Sequence, residues 1–191
     1  QVLSTLLPEA LGEALRVSFG DRKPSISLFE ASIALDRPGR DLGITTYSTA
    51  LLPPWMTRLT DFTRAGNLPG DMPMAHDPPV LVVDYGQIDS GLAQDTPAPV
   101  SITGIDRLAN WDGLSDADYQ VQKSDLLARL IALCETEWPG FSAAVTGADL
   151  ATARTMAQQL GTPEGAVYGF APVRPRLRLP VPTCRLLPAT M

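Results

Sequence analysis

One stretch constrains the fold more than any other. "SDADYQVQKSDLLARLIALCETEWPGF" begins with Ser115 as a helix N-cap, with Asp118 three residues on, a weaker form of the capping box. Leu127, Leu130, Ile131, Cys134 and Trp138 then follow a 3.6-residue period until Pro139-Gly140 ends the run. A helix of this length needs a broad apolar surface to lie on. Strand-like segments flank it on both sides in the sequence. "SISLFEASIAL" (25–35) and "ITTYSTALL" (44–52) read as strands joined by a Pro-Gly turn, a hairpin-like pair. "VLVVDYGQI" (80–88) is a continuous apolar run that predicts a central buried strand, and "PVSITGID" (99–106) predicts another. One last strand lies in "AVTGADLATART", with a short helix at "TMAQQL".

Two further helices are predicted. Leu7, Leu11, Ala14 and Leu15 fall at helical spacing after Pro8, which gives a helix over about 7–17 that stops at Gly20. After Pro53-Pro54, Trp55, Met56, Leu59 and Phe62 make a one-sided helix ending at Gly66. The Pro-rich stretch 68–79 predicts a loop. The order of elements gives an α+β fold, a mixed or antiparallel sheet covered by helices, rather than a regular βαβ winding. Residues 1–172 form this domain, and 173–191 are a Pro- and Arg-rich tail.

A chain of 191 residues can bury about 70% of its unfolded surface, so it needs neither disulfides nor metal to fold. The net charge of −6, with 21 acidic against 15 basic residues, argues against a nucleic-acid partner. No apolar run approaches the ~20 residues that span a bilayer. Two cysteines, Cys134 and Cys184, fit no disulfide framework and no metal spacing, and a reduced cytosolic setting is the expectation. Cys134 falls on the apolar face of the long helix, as an inert buried thiol does, and Cys184 sits among arginines without a base. The one histidine, His76, lies in the Pro-rich loop. No multi-histidine metal site and no Ser-His-Asp triad can be built. Among fifteen glycines no two stand two positions apart, which removes the G-x-G-x-x-G dinucleotide turn, and no G-x-x-x-x-G-K occurs.

"LGTPEGAVYGF" (160–170) remains. Gly165 and Gly169 bracket Ala-Val-Tyr and let the backbone pass close to a flat partner, with Tyr168 and Phe170 on one face. A glycine-rich turn capped by core aromatics is the other reading of the same spacing.

"TARTMAQQLGTPEGAVYGFAP" (152–172) resembles the late segment of the phytoene desaturase, carotenoid isomerase and retinol saturase family of FAD-dependent oxidoreductases. "FEASIALDRPGRDLGITTYS" (29–48) is similar to that family's strand, turn and second strand. "PPVLVVDYGQIDSGLAQDTPAPVSITGI" (78–105) is similar to its block carrying Ser90, Asp95, Ala98 and Pro99, and "YQVQKSDLLARLIALCETEWPGF" to its long helix. Four blocks in order cover about 25–172. The resemblance implies the substrate lobe of a two-lobed enzyme, without a complete Rossmann lobe, that acts on an isoprenoid, polyene or other lipid-like substrate. It implies Gly165, Tyr168, Gly169 and Phe170 near the flavin. Trp55, Met56, Leu59 and Phe62 would line a substrate tunnel or meet a membrane surface, against ordinary core packing. FAD is expected only if a complementary flavin-binding lobe is supplied, by a missing portion of the polypeptide or by another one. "LPVP" (179–182) resembles the return to that lobe, and a fragment or truncated chain is the expectation. The alternative is a non-catalytic binding or assembly protein of the same fold that has lost FAD.

Overall fold

The computed structural model of the chain describes residues 6–20, 22–71, 75–88 and 99–172. Helix α1 (Glu9–Phe19) comes first, followed by β1 (Ser27–Leu35). Strand β2 (Ser48–Leu51), a single helical turn α2 (Phe62–Ala65), β3 (Val80–Asp84) and β4 (Val100–Asp106) come next. Long helix α3 (Asp116–Glu137), short α4 (Phe141–Ala144), β5 (Val145–Ala151) and α5 (Ala153–Leu160) complete the order. The five strands form one sheet in the order β2-β3-β4-β1-β5, and every pairing is antiparallel. The α+β expectation holds, in its antiparallel form.

One face of the sheet makes the core. Phe29, Ala31 and Ile33 alternate inward from β1 opposite Gly104, Ile102 and Val100 of β4, and Leu150 pairs beside Ala31 from β5. They form one cluster with Leu126, Leu130 and Cys134, which recur every four residues on the inward face of α3. Leu127 and Ile131 flank that line, half-buried, and Trp138 is buried at the helix end. The Ser115 hydroxyl accepts from the Asp118 N–H, so the cap is the one the sequence predicts. Gly140, at φ 92°, turns the chain out of α3 and into α4.

Three local expectations fail. The two strands after α1 are not a hairpin: β1 is flanked by β4 and β5, and β2 pairs only with β3 at the sheet edge. Strand β2 is also shorter than predicted and half exposed, which suits an edge. The run at 80–88 is interior but not central, and it ends at Asp84 because that carboxylate accepts from the Gly86 N–H in an Asx turn. The helix predicted over Trp55 to Phe62 is absent. The Asp61 carboxylate takes the N–H groups of both Thr57 and Arg58, and the Thr63 hydroxyl bonds back to the Thr60 carbonyl. Arg58 is extended, at φ −141° and ψ 151°, which breaks the run, and only a 3₁₀ turn at Leu59–Asp61 and α2 remain.

The inward stagger leaves one position where no side chain fits. The Phe29 ring fills the space that a Cβ on Gly104 would need, whereas a Cβ on Gly147 in edge strand β5 would meet only Ala34 at 3.9 Å. Gly104→Ala is therefore expected to destabilise the chain by ~1–3 kcal/mol through overpacking. Gly147→Ala is expected to be neutral or mildly stabilising. Urea denaturation of the two variants beside the wild type checks the contrast; equal midpoints would contradict this account of the core.

Candidate functional site

The segment Gly161 to Ala171 is built on left-handed turns. Gly161 lies at φ 61°, Glu164 at 56°, Gly165 at 67° and Gly169 at 78°. The two central glycines serve different ends. A Cβ on Gly165 would stand 2.6 Å from the Ala153 carbonyl oxygen and 3.0 Å from Ser27 Oγ, so glycine there lets the turn seat against α5 and β1. A Cβ on Gly169 would meet nothing within 4 Å, so only its backbone conformation calls for glycine.

Beyond the turn, the chain runs antiparallel to the segment leading into β1. Ser25 N donates to the Gly169 carbonyl at 2.9 Å, Val167 N to that of Ile26 at 3.3 Å, and Ala171 N to that of Lys23 at 2.8 Å. The Ser25 hydroxyl also accepts from Tyr168 N at 3.0 Å, and Pro24 bridges Phe170. The incoming and outgoing segments of the domain thus form a two-stranded ribbon. Tyr168 on that ribbon is 70% exposed and Phe170 44%. The Arg22 guanidinium stands 5.9 Å from the centre of the Phe170 ring.

A groove of about 990 Å³ opens beside the ribbon. Ile26, Tyr168 and Phe170 line one wall, Leu108 and Ala109 the other, and Lys23, Arg107 and Glu164 add charge. Asp106, at the end of β4, anchors the far wall. Its wholly buried carboxylate accepts four hydrogen bonds, two on each oxygen. Arg107 N (2.7 Å) and Asn110 Nδ2 (2.8 Å) bind Oδ1; Trp111 Nε1 (2.8 Å) and Ala153 N (2.8 Å) bind Oδ2. Burial raises this carboxyl above its ordinary value of 3.8, against the four donors, which lower it.

The sequence expectations divide on this geometry. Tyr168, Gly169 and Phe170 lie on the ribbon, and Gly165 lies in the turn that precedes it. Trp55, Met56, Leu59 and Phe62 form no common face and none lines the groove. Trp55 packs on the core, donates from Nε1 to the Asp77 carbonyl at 2.9 Å, and has the Arg64 guanidinium 5.5 Å from its ring centre. Leu59 points outward, 87% exposed. His76 is exposed and lies 5.9 Å from Trp55, ring to ring. The Cys134 thiol is buried and burial pushes it up to about 12, which leaves no reactive thiolate. Cys184, the tail from 173, and Ser90, Asp95 and Ala98 lie outside the described residues.

Asp106, Arg107, Leu108 and Glu164 escape sequence reasoning. A lone aspartate ending an apolar strand, followed within five residues by Asn110 and Trp111, is the one signal for the hub. Among the described residues no group of three or more His, Cys, Asp or Glu could hold a metal ion, and no helix is long and apolar enough to cross a membrane.

Phosphate binding at a helix start needs free backbone N–H groups, and two of those at the start of α5 are taken. At the start of α5, Ala153 N is held by Asp106 and Thr155 N by the Thr152 hydroxyl. With no closely spaced glycine pair in the sequence, these residues do not fit the pyrophosphate of FAD; the ribbon offers at most a contact face for a flat ring.

No protein-family model matches the chain. Prolycopene isomerase, chloroplastic, of Arabidopsis thaliana is 33% identical over 86 residues, which are 44% of this chain and 14% of that protein. The chain is thus similar to a limited portion of a much longer carotenoid isomerase.

Replacing the hub carboxylate tests its role in both stability and pH dependence. Asp106→Asn turns an amide N–H₂ toward N–H donors, leaves at least one buried donor unpaired, and is expected to cost ~1–3 kcal/mol at neutral pH. Because the folded carboxyl lies above its ordinary value, the part of stability linked to its titration is fully present below that value. It is lost as pH rises through the folded one. Denaturation across the acidic range should show that loss in the wild type and a reduced one in Asp106→Asn; a variant as stable as wild type, with the same pH profile, contradicts the hub.

Proposed function

We propose that this chain is a substrate-binding lobe of an enzyme of the carotenoid-isomerase type, an FAD-dependent oxidoreductase acting on polyene or other isoprenoid molecules. The observation that carries the reading is the ribbon. A lobe inserted within another domain must receive and return its chain at one place, and Lys23–Ser27 and Val167–Ala171 do this side by side. The similarity to prolycopene isomerase supports a substrate of the isoprenoid class. The exposed Tyr168 and Phe170 beside an aliphatic groove supply a surface suited to an apolar molecule, and the groove's size falls near the upper end of single-ligand pockets, ~300–1,000 Å³.

In this reading the flavin belongs to a complementary lobe, on the same polypeptide or another, and it would supply the redox chemistry when bound. This chain supplies shape and dryness: the ribbon presents Tyr168, Gly169 and Phe170 toward that lobe, and the groove receives the substrate. Gly165 acts through packing, by seating the turn that carries the ribbon. Trp55, Met56, Leu59 and Phe62 stand apart from the groove, and exposed Leu59 and Phe62 are candidates for contact with a membrane surface or a second polypeptide. The chain would work in the cytoplasm or at the periphery of a membrane. A non-catalytic binding protein of the same fold is the second reading, since the groove and ribbon would hold an apolar molecule without a flavin.

Lycopene in detergent micelles and free FAD, each incubated with the chain before gel filtration, test the proposal. Lycopene absorbance is expected to travel with the protein and flavin absorbance is not. Ala109→Trp, which places an indole on the groove wall, is expected to abolish lycopene retention while leaving the thermal midpoint within a few degrees. Failure to retain lycopene, or retention unchanged in Ala109→Trp, contradicts a polyene site in this groove. Flavin retained by the chain alone contradicts the assignment of the cofactor to another lobe.

A further inference from the structure

Glu164 occupies a backbone conformation that does not suit it. It is the one non-glycine residue with positive φ among the described residues, at φ 56° and ψ 17°, and it lies between Gly161 and Gly165, both left-handed. A side chain there costs stability that glycine would not, because Cβ crowds the neighbouring carbonyl. Such strain persists where surrounding structure imposes it, and it collects at ligand-binding positions. The exposed Glu164 carboxylate makes no hydrogen bond or ion pair with another described residue, although Lys23, Arg107 and Asp112 line the same groove. Around it the groove is largely aliphatic and aromatic, with Pro24, Ile26, Leu108 and Phe170 in its lining.

We propose that Glu164 is a ligand-contacting residue whose carboxylate accepts a hydrogen bond from a terminal hydroxyl of a long isoprenoid, so that the groove prefers a polyprenyl alcohol to the corresponding hydrocarbon or ester. The inference rests on the reading of the groove as an isoprenoid site and names the polar end of its ligand. The chemistry follows from the partners available. A carboxylate only accepts, so its counterpart must donate, and the apolar lining excludes a ligand that is polar along its length. A hydroxyl satisfies both conditions. The turn carries the carboxylate to the groove, because Glu164 directly precedes Gly165, which seats against Ala153 and Ser27.

Calorimetric titration of the chain with geranylgeraniol and with geranylgeranyl acetate tests this. The wild type is expected to bind the alcohol at least about tenfold more tightly than the acetate, since the ester has no hydroxyl donor and a charged acceptor makes a strong hydrogen bond. Glu164→Gly is expected to raise the thermal midpoint by a few degrees and to erase the preference. Glu164→Gln keeps an acceptor oxygen and the strained backbone, so it should keep the wild-type midpoint and only part of the preference. A wild type that does not distinguish the two ligands overturns the proposal, as does an undiminished preference in Glu164→Gly. If lycopene is retained while this preference is missing, the role of Glu164 alone fails. If lycopene, alcohol and acetate all fail to bind, the isoprenoid reading fails and this inference with it.

Discussion

Each oxygen of the Asp106 carboxylate accepts two hydrogen bonds, and the donors come from the end of β4, the turn at Leu108–Trp111, and the first residue of α5. Among the described residues no cation shares the work. A buried carboxylate without an ionic partner is tolerable only when every lone pair is used, and here every one is. The consequences spread outward from the hub. Asn110, held by Asp106, also donates to the Gly66 carbonyl, and Gln122 of α3 donates to the carbonyls of Asn110 and Pro69. At the other end, the backbone of α5 is the surface on which Gly165 seats. One carboxylate therefore fixes the far wall of the groove and the platform beneath the ribbon.

The ribbon completes the site from the opposite side. Its hydrogen bonds join residues some 140 positions apart in sequence, such as Ser25 to Tyr168, so the groove exists only once the whole sheet has formed. This explains why the chain carries few reactive side chains there. Shape, an aromatic edge and the exposed carboxylates of Asp112 and Glu164 are what the fold delivers at this place, and they suit recognition of an apolar molecule better than acid–base chemistry on a polar one. The start of α5 points the same way, because two of its N–H groups, those of Ala153 and Thr155, are spent on Asp106 and Thr152.

Much of the fold is legible from the residues themselves. The α3 period, its Ser115 cap, the β1 and β4 patterns and the Gly140 exit follow from local rules that tertiary structure does not override. Helix prediction at 53–67 goes astray because Arg58 is extended and Asp61 caps a new turn there by accepting from Thr57 N and Arg58 N, a restart that apolar spacing alone does not display. The assumed β1–β2 hairpin goes astray because neighbours in sequence need not be neighbours in a sheet, and β1 is claimed on both edges by later strands. The left-handed Gly165 and Gly169 are legible in the glycine spacing, whereas the pairing of 167–171 with 23–27 into a ribbon is not. Asp106 and Glu164 are not, since one draws its importance from donors scattered between 107 and 153 and the other from a φ angle.

The central claim is that the groove between the ribbon and the Leu108–Trp111 turn is where this chain meets its ligand. Amide hydrogen exchange of the full chain, measured with and without lycopene in matched detergent, tests it most directly. The account predicts slower exchange on ligand addition at Ser25, Ile26, Val167, Tyr168 and the amides of 107–111, with little change in edge strand β2. Slowing confined to β2 and the outward face of β3, with the ribbon unaffected, would contradict it.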